Sequence, residues 1–190
     1  MKHLSSKRLM DLHVNGALVY EVAFIYYLVI TFLQTSTYND FFSLNAFHYA
    51  SLISLGLILF KLFFLDEQKV TTFIFNLVCL GFLVFTWRTS QNFSLLPLGF
   101  FIIGARNVDF RKLIKLYFVI GVTLLIFVML SSSMGLIKNL VYHRVQTNTL
   151  RQSFGTVYPT DFAAHVLYLI LAYVYLKFEK VSWIDYILFI

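Results

Sequence analysis

The chain has 190 residues, of which 59% are hydrophobic, 19% are aromatic and only 13% are charged; its mean hydropathy is +0.78. Soluble domains carry about 25% charged residues, so this composition excludes a soluble globular domain and indicates a polytopic membrane protein. The formal net charge of +6 does not indicate nucleic-acid binding, because the basic residues form short clusters between apolar runs. Such clusters are typical of membrane proteins that hold a fixed orientation.

Seven apolar runs predict an all-α transmembrane bundle, because a helix satisfies its own backbone hydrogen bonds in hydrocarbon. The runs cover about residues 17–33, 46–65, 70–87, 93–105, 116–136, 162–178 and 181–190. The fourth run is short and contains Pro97, Gly99 and Gly104, which indicates a kinked or partly embedded segment. We therefore predict a single membrane domain over residues 1–190, with six complete spans and the start of a seventh.

The distribution of lysine and arginine predicts a cytoplasmic N-terminus, since cytoplasmic connections carry the excess of these residues. The N-terminal segment and the connections after the second, fourth and sixth runs hold eleven of the fifteen, namely Lys2, Lys7, Arg8, Lys61, Lys69, Arg106, Arg111, Lys112, Lys115, Lys177 and Lys180. Inside the first run, Glu21 has two interpretations: an interfacial carboxylate that reaches water, or the partner of a basic group such as Lys61 near the same leaflet. The long stem of Lys61 can also carry its ammonium group toward water.

The predicted outer loop, residues 137–161, is the exception to this charge rule. It contains Lys138, Arg144 and Arg151, and cations placed against the orientation bias indicate another role. Arginine presents a planar fork of donors that matches phosphate oxygens. With His143, the two arginines are expected to hold an anion at the outer surface, and a lipid diphosphate is the natural candidate.

Four further residues of this region belong to the candidate site. Gly155 and Pro159 are expected to bend the loop back toward the membrane, and Tyr158 directly precedes the proline. Asp161 lies where the sixth helix should begin, and His165 lies one turn later on the same face. Each candidate also has an ordinary alternative: the arginines as headgroup contacts, Tyr158 in the interfacial aromatic belt, Asp161 as a helix cap and His165 as a packing residue.

The segment from Arg151 to His165 reads R-Q-S-F-G-T-V-Y-P-T-D-F-A-A-H. It resembles the signature region of Wzy-type bacterial polysaccharide polymerases, which belong to the O-antigen polymerase and ligase superfamily and serve O-antigen, capsule and exopolysaccharide synthesis. Arg144 and Gly155 also fit the spacing of arginine, ten residues and glycine described for such loops. The resemblance extends to the layout of the remaining chain, which has aromatic-rich helices and a basic inner segment before the helix leading to this loop.

The resemblance implies a multi-pass enzyme of the bacterial cytoplasmic membrane, a glycosyltransferase that joins oligosaccharide repeats carried on undecaprenyl diphosphate. It implies Arg144 and Arg151 as the groups that stabilise the departing diphosphate, with Gly155 and Tyr158 as further substrate-binding residues. His143, Asp161 and His165 are unranked candidates for the base. No metal or other cofactor is implied. The expected partners are the lipid-linked oligosaccharide, the bilayer and other polysaccharide-export proteins, with no nucleic acid.

The chain departs from this family in length, because family members are longer and have a second large outer loop that also supplies arginines. We therefore expect an N-terminal portion that is too short to be active alone. A non-enzymatic membrane accessory or sensor protein stays an alternative. A fragment of a lipid-linked-sugar transporter is another, although transporters usually place their ion and substrate groups near mid-bilayer.

Overall fold

The computed structural model describes residues 15–91, 93–144 and 149–177, with the side chains of Leu44 and Arg144 excepted. Five helices in this part of the chain are long and apolar enough to cross a membrane, which confirms the predicted multi-pass helical protein. The helices are α1 (Gly16–Gln34), α2 (Leu44–Phe60), α3 (Val70–Ser90), α4 (Leu95–Gly104), α5 (Phe110–Ser133) and α6 (Pro159–Lys177). A 3-10 helix, Thr37–Phe41, follows α1, and a π-helical turn, Lys61–Leu65, extends α2.

The number of spans depends on α4, which occupies the fourth apolar run. Its ten residues extend about 15 Å at 1.5 Å per residue, whereas the hydrocarbon layer is about 30 Å thick. The predicted seventh run, residues 181–190, and the basic N-terminal segment lie outside the described residues. Six complete spans and a cytoplasmic N-terminus therefore stay predictions.

Contacts divide the chain into two compact units. Among the described residues, unit 1 contains residues 15–24 and Ser51–Val108, and unit 2 contains Ile25–Ala50 and residues 109–177.

Unit 1 contains a buried ion pair at the π-helical end of α2. The ammonium group of Lys61 donates to both carboxylate oxygens of Asp66, at 2.8 and 2.7 Å, and to the carbonyl oxygen of Arg106 at 3.0 Å. The two side chains are 0% and 4% exposed. These bonds engage all three N–H groups of the ammonium. The expectation that Lys61 reaches water or pairs with Glu21 is therefore wrong, because its own connection supplies a nearer carboxylate.

The bond to Arg106 also fixes the course of α4. The chain leaves Asp66 along α3, and near the far end of α3 the ring of Phe93 packs on Trp87 at 5.8 Å. By Arg106 the chain again lies beside Lys61. The short helix and its flanking residues therefore return the chain to the level at which α3 begins.

In unit 2, α5 and α6 pack antiparallel. Arg111, in the first turn of α5, donates to the carbonyl oxygen of Leu176 at the end of α6, at 3.1 Å. Midway along the pair, Gly121 admits Leu169, whose terminal methyl carbon would lie 2.8 Å from a Cβ at position 121. The close approach of the helix backbones therefore depends on a residue without a side chain.

An antiparallel hairpin connects α5 to α6. Its strands are β1 (Val141–Arg144) and β2 (Thr149–Gln152). The end of α1 lies at the same level, since the Tyr38 hydroxyl donates to Ser131 Oγ of α5 at 2.9 Å. We call this end of unit 2, formed by residues 35–41, 131–144 and 149–165, the cap. Beneath it lies a buried cluster of Phe32, Val128 and Ile137.

Replacement of Lys61 by methionine is expected to destabilise the protein by about 3 to 5 kcal/mol, because it leaves the Asp66 carboxylate buried without its partner. Thermal unfolding of the purified protein in detergent measures this loss. The matched control is Lys69→Met, since Lys69 is exposed and lies in the same connection. A double variant, Lys61→Met with Asp66→Leu, should recover most of the stability, whereas a single variant that unfolds like wild type contradicts the prediction.

Candidate functional site

The cap is held together by backbone hydrogen bonds between the end of α1 and the segment after the hairpin. The N–H of Val157 donates to the Thr35 carbonyl and the N–H of Thr37 donates to the Gly155 carbonyl, both at 2.9 Å. The Thr37 hydroxyl also donates to the carbonyl of Lys138 at 3.0 Å. Thr37 is 3% exposed, so these bonds lie away from water and hold the loop in one arrangement.

Gly155 occupies a position that only glycine fits without strain. Its φ is +89°, in the left-handed region, and it is buried. A Cβ at this position would lie 2.9 Å from the Val128 carbonyl oxygen and equally close to Ser132 Cβ. The sequence prediction that Gly155 bends the loop thus has a second physical basis: the loop backbone lies directly on α5.

The register of the hairpin decides which side chains share a face. Tyr142 pairs with Arg151, His143 with Leu150, and position 144 with Thr149. Partners in an antiparallel ladder leave the ribbon on the same face, and the faces alternate along each strand. Backbone positions 144 and 151 therefore lie on one face with Tyr142, whereas His143 and Leu150 lie on the other.

The face that carries Arg151 is directed toward the start of α6. Tyr142, its ladder partner, donates its phenolic hydrogen to the Val157 carbonyl at 2.8 Å. The Tyr142 ring also lies 5.7 Å from the ring of Tyr158. The side chains of Arg151 and Tyr158 are both exposed, and among the described residues the Arg151 guanidinium makes no hydrogen bond or ion pair with the protein. It is therefore a cation available to a ligand.

Two other predicted site residues, His143 and Arg144, are not shown beside the Arg151 guanidinium. His143 is exposed on the opposite face of the ribbon from Arg151, so the hairpin itself does not bring its imidazole to the arginine. Arg144 belongs to β1 by its backbone, but its side chain lies outside the described residues. Of the predicted anion site, the structure therefore describes the Arg151 side chain and the backbone of residue 144, which share one ribbon face.

The start of α6 explains the position of Asp161. The helix begins at Pro159, whose fixed φ suits the first helical position. Asp161 is the third helical residue, and its Oδ2 accepts a hydrogen bond from the N–H of Tyr158 at 3.3 Å. This is the reciprocal half of a capping box, in which the third residue binds the N–H of the capping residue. The carboxylate therefore stabilises the helix start and orients Tyr158.

His165 packs against the end of α1. Its ring stacks on Phe32 with ring centroids 4.2 Å apart, and its Nε2 lies 2.9 Å from Thr35 Oγ1. The Thr35 hydroxyl has one hydrogen and donates it to the Phe32 carbonyl at 2.9 Å. In the tautomer that keeps this bond to Phe32, Nε2 carries the hydrogen of the contact with Thr35 and Nδ1 of the neutral ring is an acceptor.

The cap thus contains an exposed guanidinium and, in this tautomer, an imidazole whose Nδ1 makes no hydrogen bond within the described residues. Such groups can bind an anion and accept a proton. Among the described residues, no group of three or more His, Cys, Asp or Glu side chains lies together in a way that could hold a metal ion.

Sequence reasoning missed the residues that support this site. Thr35 and Thr37 anchor the loop, and the run Thr35-Ser36-Thr37 directly after an apolar helix was the available signal. It also missed the hairpin, although Val141-Tyr142 and Thr149-Leu150 are strand-forming pairs on either side of a polar turn. An exposed ion pair between Lys138 and Asp40, at 2.7 Å, has no sequence signal, because its partners come from distant segments.

Comparisons of the chain with protein-family models, curated proteins and solved structures find no match. The resemblance of residues 151–165 to polysaccharide polymerases therefore stays a prediction.

Replacement of Gly155 by alanine is expected to loosen the cap. The left-handed backbone costs alanine about 1 to 2 kcal/mol, and the contact with Val128 adds about 1 to 3 kcal/mol of overpacking. Thermal unfolding measures the total, and hydrogen exchange at the Thr37 amide reports the loop itself.

Gly135→Ala is the matched control, because Gly135 also has a positive φ, +73°, but a Cβ there meets nothing within 4 Å. It should show the backbone cost alone. If the two variants lose the same stability, the contact between the loop and α5 contributes nothing to the stability of the protein.

Proposed function

We propose that this protein is a membrane-embedded glycosyltransferase of the polysaccharide polymerase type, or a portion of one, acting on oligosaccharide repeats linked to undecaprenyl diphosphate. In this reaction a hydroxyl oxygen of the acceptor sugar attacks the anomeric carbon of the donor. The bond from that carbon to the diphosphate oxygen breaks, and the lipid diphosphate leaves with the electron pair. The reaction therefore needs a cation at the departing oxygens and a group that accepts the hydroxyl proton.

The observation that carries this proposal is the exposed guanidinium of Arg151, which makes no hydrogen bond or ion pair within the described part of the chain. Developing negative charge on a leaving diphosphate is stabilised best by donors already held in place, and hydrogen bonds from Thr37 fix the loop that holds the ribbon. A guanidinium fork suits phosphate oxygens better than a point charge. The shared ribbon face of positions 144 and 151 gives the second arginine a place in the same role.

His165 is the base that the contacts favour. Its Nδ1 accepts a proton if Nε2 donates to Thr35, and stacking on Phe32 holds the ring in place. Asp161 is engaged with the N–H of Tyr158, and His143 lies on the other ribbon face from Arg151. Both are therefore less suited to act with Arg151 than His165 is.

Replacement of Arg151 by alanine is expected to weaken binding of undecaprenyl diphosphate about tenfold or more, because a charge-assisted hydrogen bond is lost. Native mass spectrometry of the protein in phosphatidylcholine nanodiscs, titrated with that lipid, measures the change. Arg151→Lys should bind with intermediate affinity, since it keeps the charge and loses the fork. Arg88→Ala is the control, because Arg88 is also exposed and lies in another predicted outer loop.

The same preparation separates binding from chemistry. His165→Gln keeps an N–H donor for Thr35 and should leave lipid diphosphate binding unchanged. In an assay that supplies any further polypeptide the reaction needs, coupling of two lipid-linked repeats should be lost. An Arg151→Ala protein that binds undecaprenyl diphosphate as wild type does would overturn the proposal. The accessory or sensor interpretation would then be favoured.

The proposal requires the cap to face the outer side of the bacterial cytoplasmic membrane, where repeats are joined. A cysteine at position 150, which is 63% exposed as leucine, should react with an impermeant maleimide added to intact cells, in a background carrying Cys79→Ser. A cysteine at Glu67, in the predicted cytoplasmic connection, should react only after permeabilisation. Labelling of position 150 only after permeabilisation would contradict the orientation.

A further inference from the structure

A small cavity opens in the cap at a place that the proposed chemistry does not use. It has a volume of about 280 Å³ and lies between the 3-10 helix and the segment after α5. Its lining residues are Thr37, Asp40, Phe41, Gly135, Leu136, Ile137 and Lys138. The volume lies just below the range of about 300 to 1,000 Å³ for pockets of drug-sized ligands. A single small ring therefore suits it better than an extended chain.

The charged groups of the cavity form a neutral pair. Lys138 Nζ donates to Asp40 Oδ2 at 2.7 Å, and the side chains are 72% and 48% exposed. The ammonium has three N–H groups, and the pair engages one of them. Within the described part of the chain, Asp40 Oδ1 accepts no hydrogen bond. The pair can therefore donate to and accept from one ligand at the same time.

This neutrality distinguishes the cavity from the arginine face of the hairpin. A diphosphate carries several negative charges, and Asp40 beside Lys138 would repel them. Neighbouring hydroxyl groups of a sugar act as both donors and acceptors, which matches a carboxylate next to an ammonium.

The apolar lining supports the same ligand chemistry. The Phe41 ring is 65% exposed and Leu136 is 63% exposed at the cavity, whereas Ile137 is buried. A pyranose has an apolar C–H face that can pack on an aromatic ring, and hydroxyl groups around its edge. Pockets of this kind combine an apolar wall with a few placed polar groups that fix orientation.

The wall is also rigid. Thr37, on the 3-10 helix, donates its hydroxyl hydrogen to the carbonyl of Lys138 at 3.0 Å. The same threonine donates its backbone N–H to the Gly155 carbonyl of the hairpin loop. The cavity and the loop that bears Arg151 therefore belong to one hydrogen-bonded support, so a sugar bound in the cavity is positioned relative to the hairpin.

We infer that this cavity binds one neutral sugar ring, a hexose or N-acetylhexosamine of the lipid-linked oligosaccharide, with Asp40 and Lys138 on its hydroxyls and Phe41 against its face. The inference rests on the proposed function for the origin of the sugar. It adds a site that recognises the glycan separately from the diphosphate.

The test uses the whole protein in phosphatidylcholine nanodiscs, with methyl β-glucoside, methyl β-galactoside and methyl N-acetyl-β-glucosaminide as probes. Saturation-transfer NMR is expected to detect binding of at least one glycoside at millimolar concentration. Asp40→Asn and Phe41→Ala should each weaken that binding about tenfold. Glu67→Gln, an exposed acid far along the chain, should not change it. Thermal unfolding checks that the variants are folded, and two independent substitutions keep the test valid if one of them fails to fold.

The outcomes separate this inference from the proposed function. Loss of glycoside binding in Asp40→Asn, with undecaprenyl diphosphate binding intact, supports the sugar site, and Arg151→Ala should give the reverse. If Arg151→Ala does not change undecaprenyl diphosphate binding and the glycoside still binds, the sugar site stands and the polymerase proposal is overturned. The sugar site is overturned if no glycoside gives a signal or if inorganic pyrophosphate displaces the glycoside. It is also overturned if exchange of the nanodisc lipid for phosphatidylethanolamine abolishes glycoside binding, because the hydrogen-bonding primary ammonium of that headgroup would then be the occupant.

Discussion

The hydrogen bonds of Thr37 are the interaction on which the cap depends. Irregular backbone at the edge of a hydrocarbon layer must satisfy its polar groups within the protein, because unsatisfied groups are costly there. Thr37 donates its N–H to Gly155 and its hydroxyl hydrogen to Lys138, and it is almost completely buried. This one residue of the 3-10 helix thereby joins the segment after α5 to the segment after the hairpin.

This fixed support allows two chemically different surfaces to coexist in one cap. On the hairpin, Arg151 is exposed and has no acidic partner among the described residues. At the cavity, Asp40 neutralises Lys138 and leaves a surface suited to hydroxyl groups. The ladder register places Arg151 on one face of the hairpin, and the 3-10 helix places Asp40 beside Lys138. Backbone hydrogen bonds hold the hairpin and the 3-10 helix in position.

Unit 1 contains a charged pair that is buried, in contrast to the exposed charged groups of the cap. Lys61 and Asp66 are buried against each other and against a backbone carbonyl, so the pair is a structural element with no group left for a ligand. Along α3, large apolar side chains are exposed, among them Ile74, Phe75, Phe82 and Phe85. Such a surface suits contact with lipid tails, in agreement with the membrane location that the apolar helices indicate.

The sequence was sufficient to predict the features that depend on the residue types of one short segment. Apolar runs long enough to cross a bilayer identified the helices, and Gly155 marked the bend, because backbone conformation there is set by the residue itself. The short fourth run was identified in the same way. The sequence placed the start of the sixth helix near Asp161, whereas α6 begins two residues earlier, at Pro159. The role of Asp161 near a helix start also followed, although its hydrogen bond runs to the N–H of Tyr158.

Only the tertiary structure decided which groups meet. The pairing of Lys61 with Asp66 instead of Glu21, the contact of His165 with Thr35 and the ion pair of Asp40 with Lys138 depend on packing that no spacing reveals. The hairpin register is the clearest case, since a shift of one residue would exchange the faces of Arg151 and His143. The sequence determines that cations lie in this loop, whereas the ladder register determines that backbone positions 144 and 151 share one face of the hairpin.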